Sequence, residues 1–474
     1  MWPAIRRALG LDRRRAFDAA GGGRRWEGAK TVESLNTAIL AGATVAARRA
    51  GYYARNNPWV AAAVQGLVAN AVGTGIKPRS MHPDASVRNA LHALWRRWTD
   101  RADGAGLTDL YGLQALALRA MVESGESFAR FRFTDAGDGL PPLVIDLMDR
   151  EQVPTDLHRE IGVGARIRAG IEFDAAGKRI AYHCYRHRPG DALAPMALDT
   201  VRVPAVDIVH LFQALAPGQL RGITWLAPIL LRLHELDQYE DAALVKAKVA
   251  ALFTGFIRDP DGTVAGLNNG SAVNGVLQVG MEPGSLIPLP PGADIQFSDP
   301  ADPGDYGAYV KNHIRAIASG LGLPYELVSG DLEGVTYSSI RAGLVEFRRR
   351  IEQLQHTVLV FQFCRPVWER FVRMAVLSGA LPARDFERDP TPYLTAEWLP
   401  PKWDWVDPLK DARAEIEQIR AGLKSRSQSI AERGYDVEEV DTAIAADRAR
   451  EARLGLTFDG VVTPDQQTQE AANA

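Results

Sequence analysis

The sequence predicts an α+β protein of several parts, on three observations. Helical periodicity dominates both ends of the chain. Alternating, strand-like runs fill the region from Phe128 to about residue 211. A heptad pattern runs through residues 337–361, where Ile340, Leu344, Phe347, Ile351, Leu354, Val358 and Phe361 follow one another at spacings of four and three. That is the seam of a long helix packed along its length on other helices. At 1.5 Å per residue it reaches about 40 Å, longer than an ordinary catalytic domain needs. Pro366 is expected to end it, because proline lacks an amide hydrogen and clashes with the preceding turn.

The other elements follow in order. Residues 1–30 read as a flexible basic arm, with Gly21, Gly22 and Gly23 in a row. Residues 31–72 are alanine-rich and helical, with Asn57 before Pro58 marking a helix start. Residues 86–99 and 108–124 are further amphipathic helices. The period then shifts toward two across Phe128, Arg130, Phe131, Arg132 and Phe133, and residues 143–147 make another short strand. Residues 168–187 carry two strand-like runs around a turn at 174–177, a hairpin signal. Residues 201–211 add one more strand, so 31–215 read as one α+β domain.

Pro228 opens a helix running to about Phe253. Its second half is small (Ala242, Ala243, Ala247, Ala250, Ala251), which lets helices approach closely. Lys246 and Lys248 interrupt that half and must point to water or to an anion. Seven glycines and six prolines between residues 262 and 303 mark 254–304 as a turn-rich insertion, with β-like runs at 286–289 and 295–297. Residues 305–320 return to helix. The stretch GLGLPYELVSGDLEGVTYSS (320–339) is glycine-rich and expected to be irregular and mobile. After Pro366 come a short helix, a linker with Trp398, Trp403 and Trp405, and three helices, the first opened by Asp407 and Pro408. The last residues, 455–474, read as a disordered acidic tail.

Composition narrows the function. A length of 474 residues allows two to four domains with a sizeable core. Two cysteines, Cys184 and Cys364, argue against a disulfide scaffold and fit a reducing compartment. No long uncharged apolar window predicts a membrane span, and the N-terminus lacks the apolar core of a secretory signal. The net charge of −3 is unevenly placed: the first 55 residues carry 11 bases against 4 acids, residues 435–474 carry 9 acids against 3 bases. A protein that grips DNA tightly has a more basic body, so any DNA contact is expected to be loose.

Motifs for chemistry are sparse. There is no GxxxxGK[ST], HExxH or GxSxG. His183 and His187 lie four apart, but in an alternating run that spacing spans about 13 Å and puts Cys184 on the opposite face. They read as strand-surface histidines. Asp146, Asp149 and Glu151 cluster near a strand end and are the candidate carboxylates of a metal-dependent nucleic-acid-processing enzyme. Well-hydrated loop acids are the competing reading. Arg348, Arg349 and Arg350 point about 100° apart and cannot form one patch. Phosphate contact, an inter-subunit ion pair and a solvated face all remain open for them. No cofactor is expected.

Six segments in order carry a resemblance: RNNPWVAAAV (55–64), GIEFDAAGKRIAYHCYRHRPGD (170–191), GQLRGITWLAPIL (218–230), GLGLPYELVSGD (320–331), YSSIRAGLVEFRRR (337–350) and VDPLKDARAEI (406–416). Over residues 35–450 the chain resembles the lambda-type phage portal family. The resemblance implies a portal fold: a wing (31–215), a first stem helix (225–253), a small β-containing clip (254–304), a second stem helix (305–320), a tunnel loop and long tunnel helix (321–365) and a helical crown (366–454). It implies a non-enzymatic dodecameric ring at one capsid vertex of the virion, assembled in the host bacterial cytoplasm with capsid and scaffold proteins and without membrane contact. The large terminase subunit would dock on the clip and pump double-stranded DNA through the ring, and a head–tail connector would later take the same face. Another phage tail or baseplate structural protein, with six-fold or three-fold rings, is the alternative within the same class.

Physical reasoning adds candidates for the channel wall. A strongly basic lining in a dozen copies would bind DNA by counterion release and stall it. Lys246, Lys248, Lys311 and Arg315 could supply modest positive rings. Ser329, Gly330, Asp331, Leu332, Glu333 and Gly334 would face the channel, with Asp331 and Glu333 weakly repulsive. Gly330 and Gly334 would give the loop its freedom. The seven heptad residues, Ile340 to Phe361, would pack the helix seam or an inter-subunit face.

Overall fold

The computed structural model describes residues 34–134, 137–162, 164–190, 199–251, 255–257, 271–273, 276–278, 286–288, 306–334, 336–401 and 408–456. The expected arm, most of the clip range, nearly all of the tail, and Trp403, Trp405 and Asp407 lie outside the described residues.

Helices α1 (Leu35–Asn56) and α2 (Pro58–Ala71) meet at Asn57, whose side chain accepts a hydrogen bond from the Val60 amide while Pro58 takes the first helical position. Strand β1 (Lys77–Ser80) follows. Asp84 and Asp109 cap α3 (Ala85–Thr99) and α4 (Leu110–Ser124) in the same way. Gly125 ends α4 at φ 95°, where a Cβ would lie 2.3 Å from the backbone of Ile223. Only glycine turns the chain there.

Two antiparallel sheets follow. Strands β2 (Glu126–Phe133) and β3 (Leu143–Met148) join the later β9 (Ile208–Phe212) in the order β3-β2-β9. Strands β4 (Arg159–Glu160), β5 (Arg166–Arg168), β6 (Ile171–Phe173), β7 (Arg179–Tyr185) and β8 (Thr200–Pro204) form the second sheet in chain order. The β6–β7 hairpin is the one the sequence predicts. The single strand expected over 201–211 is two strands in different sheets. Pro204 has no amide hydrogen to extend the ladder, and a 3-10 turn at Ala205–Asp207 redirects the chain.

Helix α5 (Leu230–Ala251) begins two residues after Pro228. Within residues 254–304, β10 (Gly255–Ile257) pairs in parallel with β13 (Leu286–Pro288), and β11 (Ser271–Val273) pairs antiparallel with β12 (Val276–Gln278). Helix α6 (Tyr306–Leu321) leads into the glycine-rich stretch, which is more regular than expected. Pro324 presets the entry to a short helix, α7 (Tyr325–Ser329), and Gly330 closes it at φ 68°.

Pro366 does not end the long helix. α8 (Tyr337–Leu354), a π-helical segment (Gln355–Cys364) and α9 (Arg365–Leu377) form one rod, with helical dihedrals at Leu354, Cys364 and Arg365. In the π register the Arg365 amide reaches the Val360 carbonyl, five residues back. The wider turn moves aside the carbonyl that a proline ring would strike, and Pro366 falls in the first turn of α9 where its missing donor is tolerated. The rod has a contour of about 60 Å. The extra residue also shifts the apolar phase. Phe347, Ile351, Leu354 and Val358 are buried on the heptad seam, after which Phe363, Val367, Trp368, Phe371 and Val372 take over. Ile340 and Leu344 are half-buried. Phe361, expected on the seam, is 62% exposed, with the Arg365 guanidinium 5.8 Å from its ring centre.

Helix α10 (Thr391–Leu394) and strand β14 (Ala396–Leu399) follow. The latter pairs with β1, so Trp398 sits in a ladder opposite Pro78 rather than in a linker. Three further helices close the described chain: α11 (Pro408–Arg420), α12 (Arg426–Glu432) and α13 (Val437–Leu454). The main core joins α1–α4, the three-stranded sheet, α6 and the rod. At its centre Trp95, Trp98, Trp368 and Phe371 pack with ring centres 4.9 to 5.8 Å apart. No described helix is long and apolar enough to cross a membrane.

Candidate channel loop and its anchorage

The loop that leads into the rod is tied down by one carboxylate. Lys311 on α6 places its Nζ 2.8 Å from Asp331 Oδ2, and the Tyr325 hydroxyl donates to the same oxygen at 3.0 Å. The other oxygen, Oδ1, accepts from the Glu333 amide at 2.9 Å. The Asp331 amide donates to Ser329 Oγ, whose hydroxyl donates to the Tyr325 carbonyl. Lys311 and Arg315 both stand over the Tyr325 ring, 5.7 and 5.5 Å from its centre. Hydrogen bonds from Lys311, the Glu333 amide and Tyr325 pull the Asp331 carboxyl down to about 2. The Asp331 side chain keeps 29% of its surface in water and that of Lys311 32%.

The loop residues named from sequence therefore divide. Ser329 and Gly330 build the end of α7. Asp331 and Lys311 compensate each other, so neither offers an unbalanced charge. Leu332, Glu333 and Gly334 are exposed, as are Arg315 on α6 and Lys246 and Lys248 on α5. Gly330 and Gly334 hold φ of 68° and 71°, which frames the loop with two left-handed residues.

Behind the loop the rod is fixed to the sheet domain at and beyond its π segment. Gln362 acts as a mock strand partner for β9: its side-chain oxygen accepts from the Phe212 amide at 2.9 Å and its nitrogen donates to the Phe212 carbonyl at 3.0 Å. Gln355 donates to the Ala71 carbonyl at 2.9 Å. Arg370 donates to the Val206 carbonyl and pairs with Asp207. On α8, by contrast, Arg349 pairs within the helix with Glu346 at 3.8 Å, Arg350 lies over Gly322, and Arg341 pairs with Asp411 of α11 at 3.3 Å.

The sheet domain has its own weld, which the sequence did not reveal. Glu126, wholly buried at the start of β2, accepts from Arg221 Nη2 at 2.7 Å and Nε at 2.9 Å, from the Gly222 amide at 2.9 Å and from His210 at 3.0 Å. Arg150 Nε lies 3.2 Å away. Arg221 also donates to the carbonyls of Val153 and Ala169, and so binds both sheets. Burial alone would raise the Glu126 carboxyl. Arg221, His210 and Arg150 outweigh it and hold the group well below the usual range. Burial pushes the His210 imidazole down to about 4. Arg179 can only donate, and it reaches His210 Nδ1 at 3.2 Å, so the proton sits on Nε2 and points at Glu126. Arg221 lies in the GQLRGITWLAPIL segment, the one sequence signal that touches this cluster.

The carboxylates considered for catalysis are spent separately. Asp146 takes two bonds from Arg132 at 2.7 and 3.0 Å. Asp149 caps the 3-10 turn Arg150–Gln152, and Glu151 pairs with Arg48 at 2.8 Å. His183 bonds Glu172, which Arg202 also grips. Among the described residues no group of three His, Cys, Asp or Glu is placed to hold a metal ion.

The class these features define is structural: a long strut welded to an α+β body, with a tethered polar loop leading into it. The sequence model described as phage portal protein, lambda family, matches residues 22–355. The probable portal protein of Halomonas phage phiHAP-1 is 30% identical over 440 residues, 86% of this chain and 82% of that protein. Portal protein B of Escherichia phage lambda is 22% identical over 313 residues, 59% of this chain and 57% of that one. The chain belongs to the lambda family of phage portal proteins. Among solved structures, a chain from the neck of an empty GTA particle computed with C6 symmetry is 16% identical and covers 88% of this chain and 96% of that one, with a TM-score of 0.42.

Proposed function

We propose that this chain assembles into a closed ring at one vertex of a phage head, and that the ring is the channel through which double-stranded DNA enters and leaves. The observation that carries the reading, beside family membership, is the distribution of anchors on the rod. Gln355, Gln362 and Arg370 fix it from the π segment onward, while Arg341, Arg349, Arg350 and Glu352 of α8 and Glu333 of the loop before it are exposed. Twelve subunits are the expected number. The range 254–304 is the docking face for the large terminase subunit during packaging and for the head–tail connector afterwards, and capsid and scaffold proteins surround the ring. The ring itself performs no hydrolysis.

The charge balance supports such a channel. Each copy pairs Lys311 with Asp331, so a ring of copies adds little net positive charge to the wall at that level. DNA then meets few uncompensated cations and releases few counterions, which keeps it from being trapped. The test is direct imaging of the full-length chain, with scaffold if closure requires it. Closed rings with countable rotational symmetry are expected. A chain that stays monomeric at high concentration with scaffold present contradicts the proposal.

A further inference from the structure

We propose that Asp331 is a built-in stand-in for a DNA phosphate: it occupies the cationic patch of Lys311, Arg315 and Tyr325 until a passing phosphodiester displaces it, and that displacement frees the loop 329–334 from α6. This rests on the reading of the chain as a DNA channel.

Three features of the patch carry the inference. First, the ammonium of Lys311 and the hydroxyl of Tyr325 converge on a single anionic oxygen, Asp331 Oδ2, at 2.8 and 3.0 Å. A phosphate oxygen satisfies the same two donors, and Arg315, whose guanidinium also stands 5.5 Å from the centre of the Tyr325 ring, adds a second cation suited to phosphate. Neither donor is left unpaired in either state, so the exchange costs little. Second, the two side-chain donors and the backbone donor use different oxygens. Losing Lys311 and Tyr325 leaves the Oδ1 bond from the Glu333 amide in place. The loop then moves as a unit between Gly330 and Gly334, both left-handed, and carries the exposed Leu332 with it. Third, each side chain of the pair keeps about a third of its surface in water, so a competing anion can reach it. One exposed ion pair replaces another, and neither is held for long.

The test uses the full-length assembled chain with Leu332→Cys carrying a nitroxide label. The native thiols do not compete: Cys184 and Cys364 are buried, and burial pushes the Cys184 thiol up to about 11. Asp331→Asn is expected to raise the mobile fraction of the label roughly two- to fivefold, the factor an exposed ion pair supplies. Lys311→Met, which breaks the latch from the other side, should do the same. A short DNA duplex added to the otherwise native protein should produce the same rise, larger than sodium chloride at matched ionic strength, and Lys311→Met should abolish that response. Identical spectra for the native latch and both variants overturn the latch. Variants that respond while neither duplex nor short-chain polyphosphate has any effect overturn the exchange. A response to polyphosphate but not to duplex upholds the exchange and counts against the DNA-channel reading.

Discussion

Glu126 and Asp331 are the same device in two solvents. Each is a carboxylate that a basic side chain and a backbone amide hold, with that base standing over an aromatic ring. Glu126 has no exposure at all, and its partners reach into both sheets. Asp331 sits at the surface and ties one loop to α6 and α7. A sealed charge cannot be exchanged, and removing one partner strands the others in a low-dielectric interior. A wet charge is replaceable by water or by another anion. The sheet domain is therefore held permanently, and the loop is held conditionally.

The largest effect that tests this contrast is on Glu126. Glu126→Gln leaves Arg221 and Arg150 buried without a counter-charge and should destabilise the fold by about 3–5 kcal/mol in chemical denaturation. Acid sharpens the comparison next. His210 is depressed to about 4 from an ordinary 6.5, so between those values the unfolded chain binds the extra proton and stability falls as pH falls. The slope approaches about 1.4 kcal/mol per pH unit. Glu126, depressed as well, adds its loss only below the ordinary carboxylate value of 4.5. Asp331 keeps its charge down to about 2, so its tether should outlast the first loosening of the sheet domain on acidification. Intrinsic fluorescence against pH, beside a loop-mobility readout, checks that order. Gln362→Ala removes both bonds to Phe212 and should cost roughly 1–3 kcal/mol, with faster amide exchange at Phe212 and in β9. The smallest effect belongs to Asp331→Asn, which should leave the unfolding midpoint unchanged. Equal destabilisation by Glu126→Gln and Asp331→Asn would erase the distinction.

Much of the fold is legible locally. Asn57 before Pro58, the 174–177 turn and the heptad from Phe347 to Val358 are each set by neighbours within a few residues, and each appears where the pattern puts it. Pro366 misleads because the rule against proline inside a helix assumes an i→i−4 register, and a π segment changes the register just before it. The same insertion takes Phe361 off the seam, which a strict heptad count cannot foresee. Pro204 held the clue to the β8–β9 break. The Glu126 cluster draws Arg150, His210 and Arg221 from segments far apart in the chain, so no spacing betrays it. The sequence marks Asp331 as an acid beside the loop and Lys311 as a cation on the preceding helix. Their pairing depends on how α6, α7 and the loop fold back on one another, which the order of residues leaves open.

The account stands most directly on where the loop and α8 lie in the assembled particle. Cryo-electron microscopy of the full-length ring should place residues 329–334 nearest the symmetry axis, with α8 along the bore and the α9 end of the rod embedded in the outer body. A ring with that loop on its outer rim, or a chain that forms no ring, would contradict it.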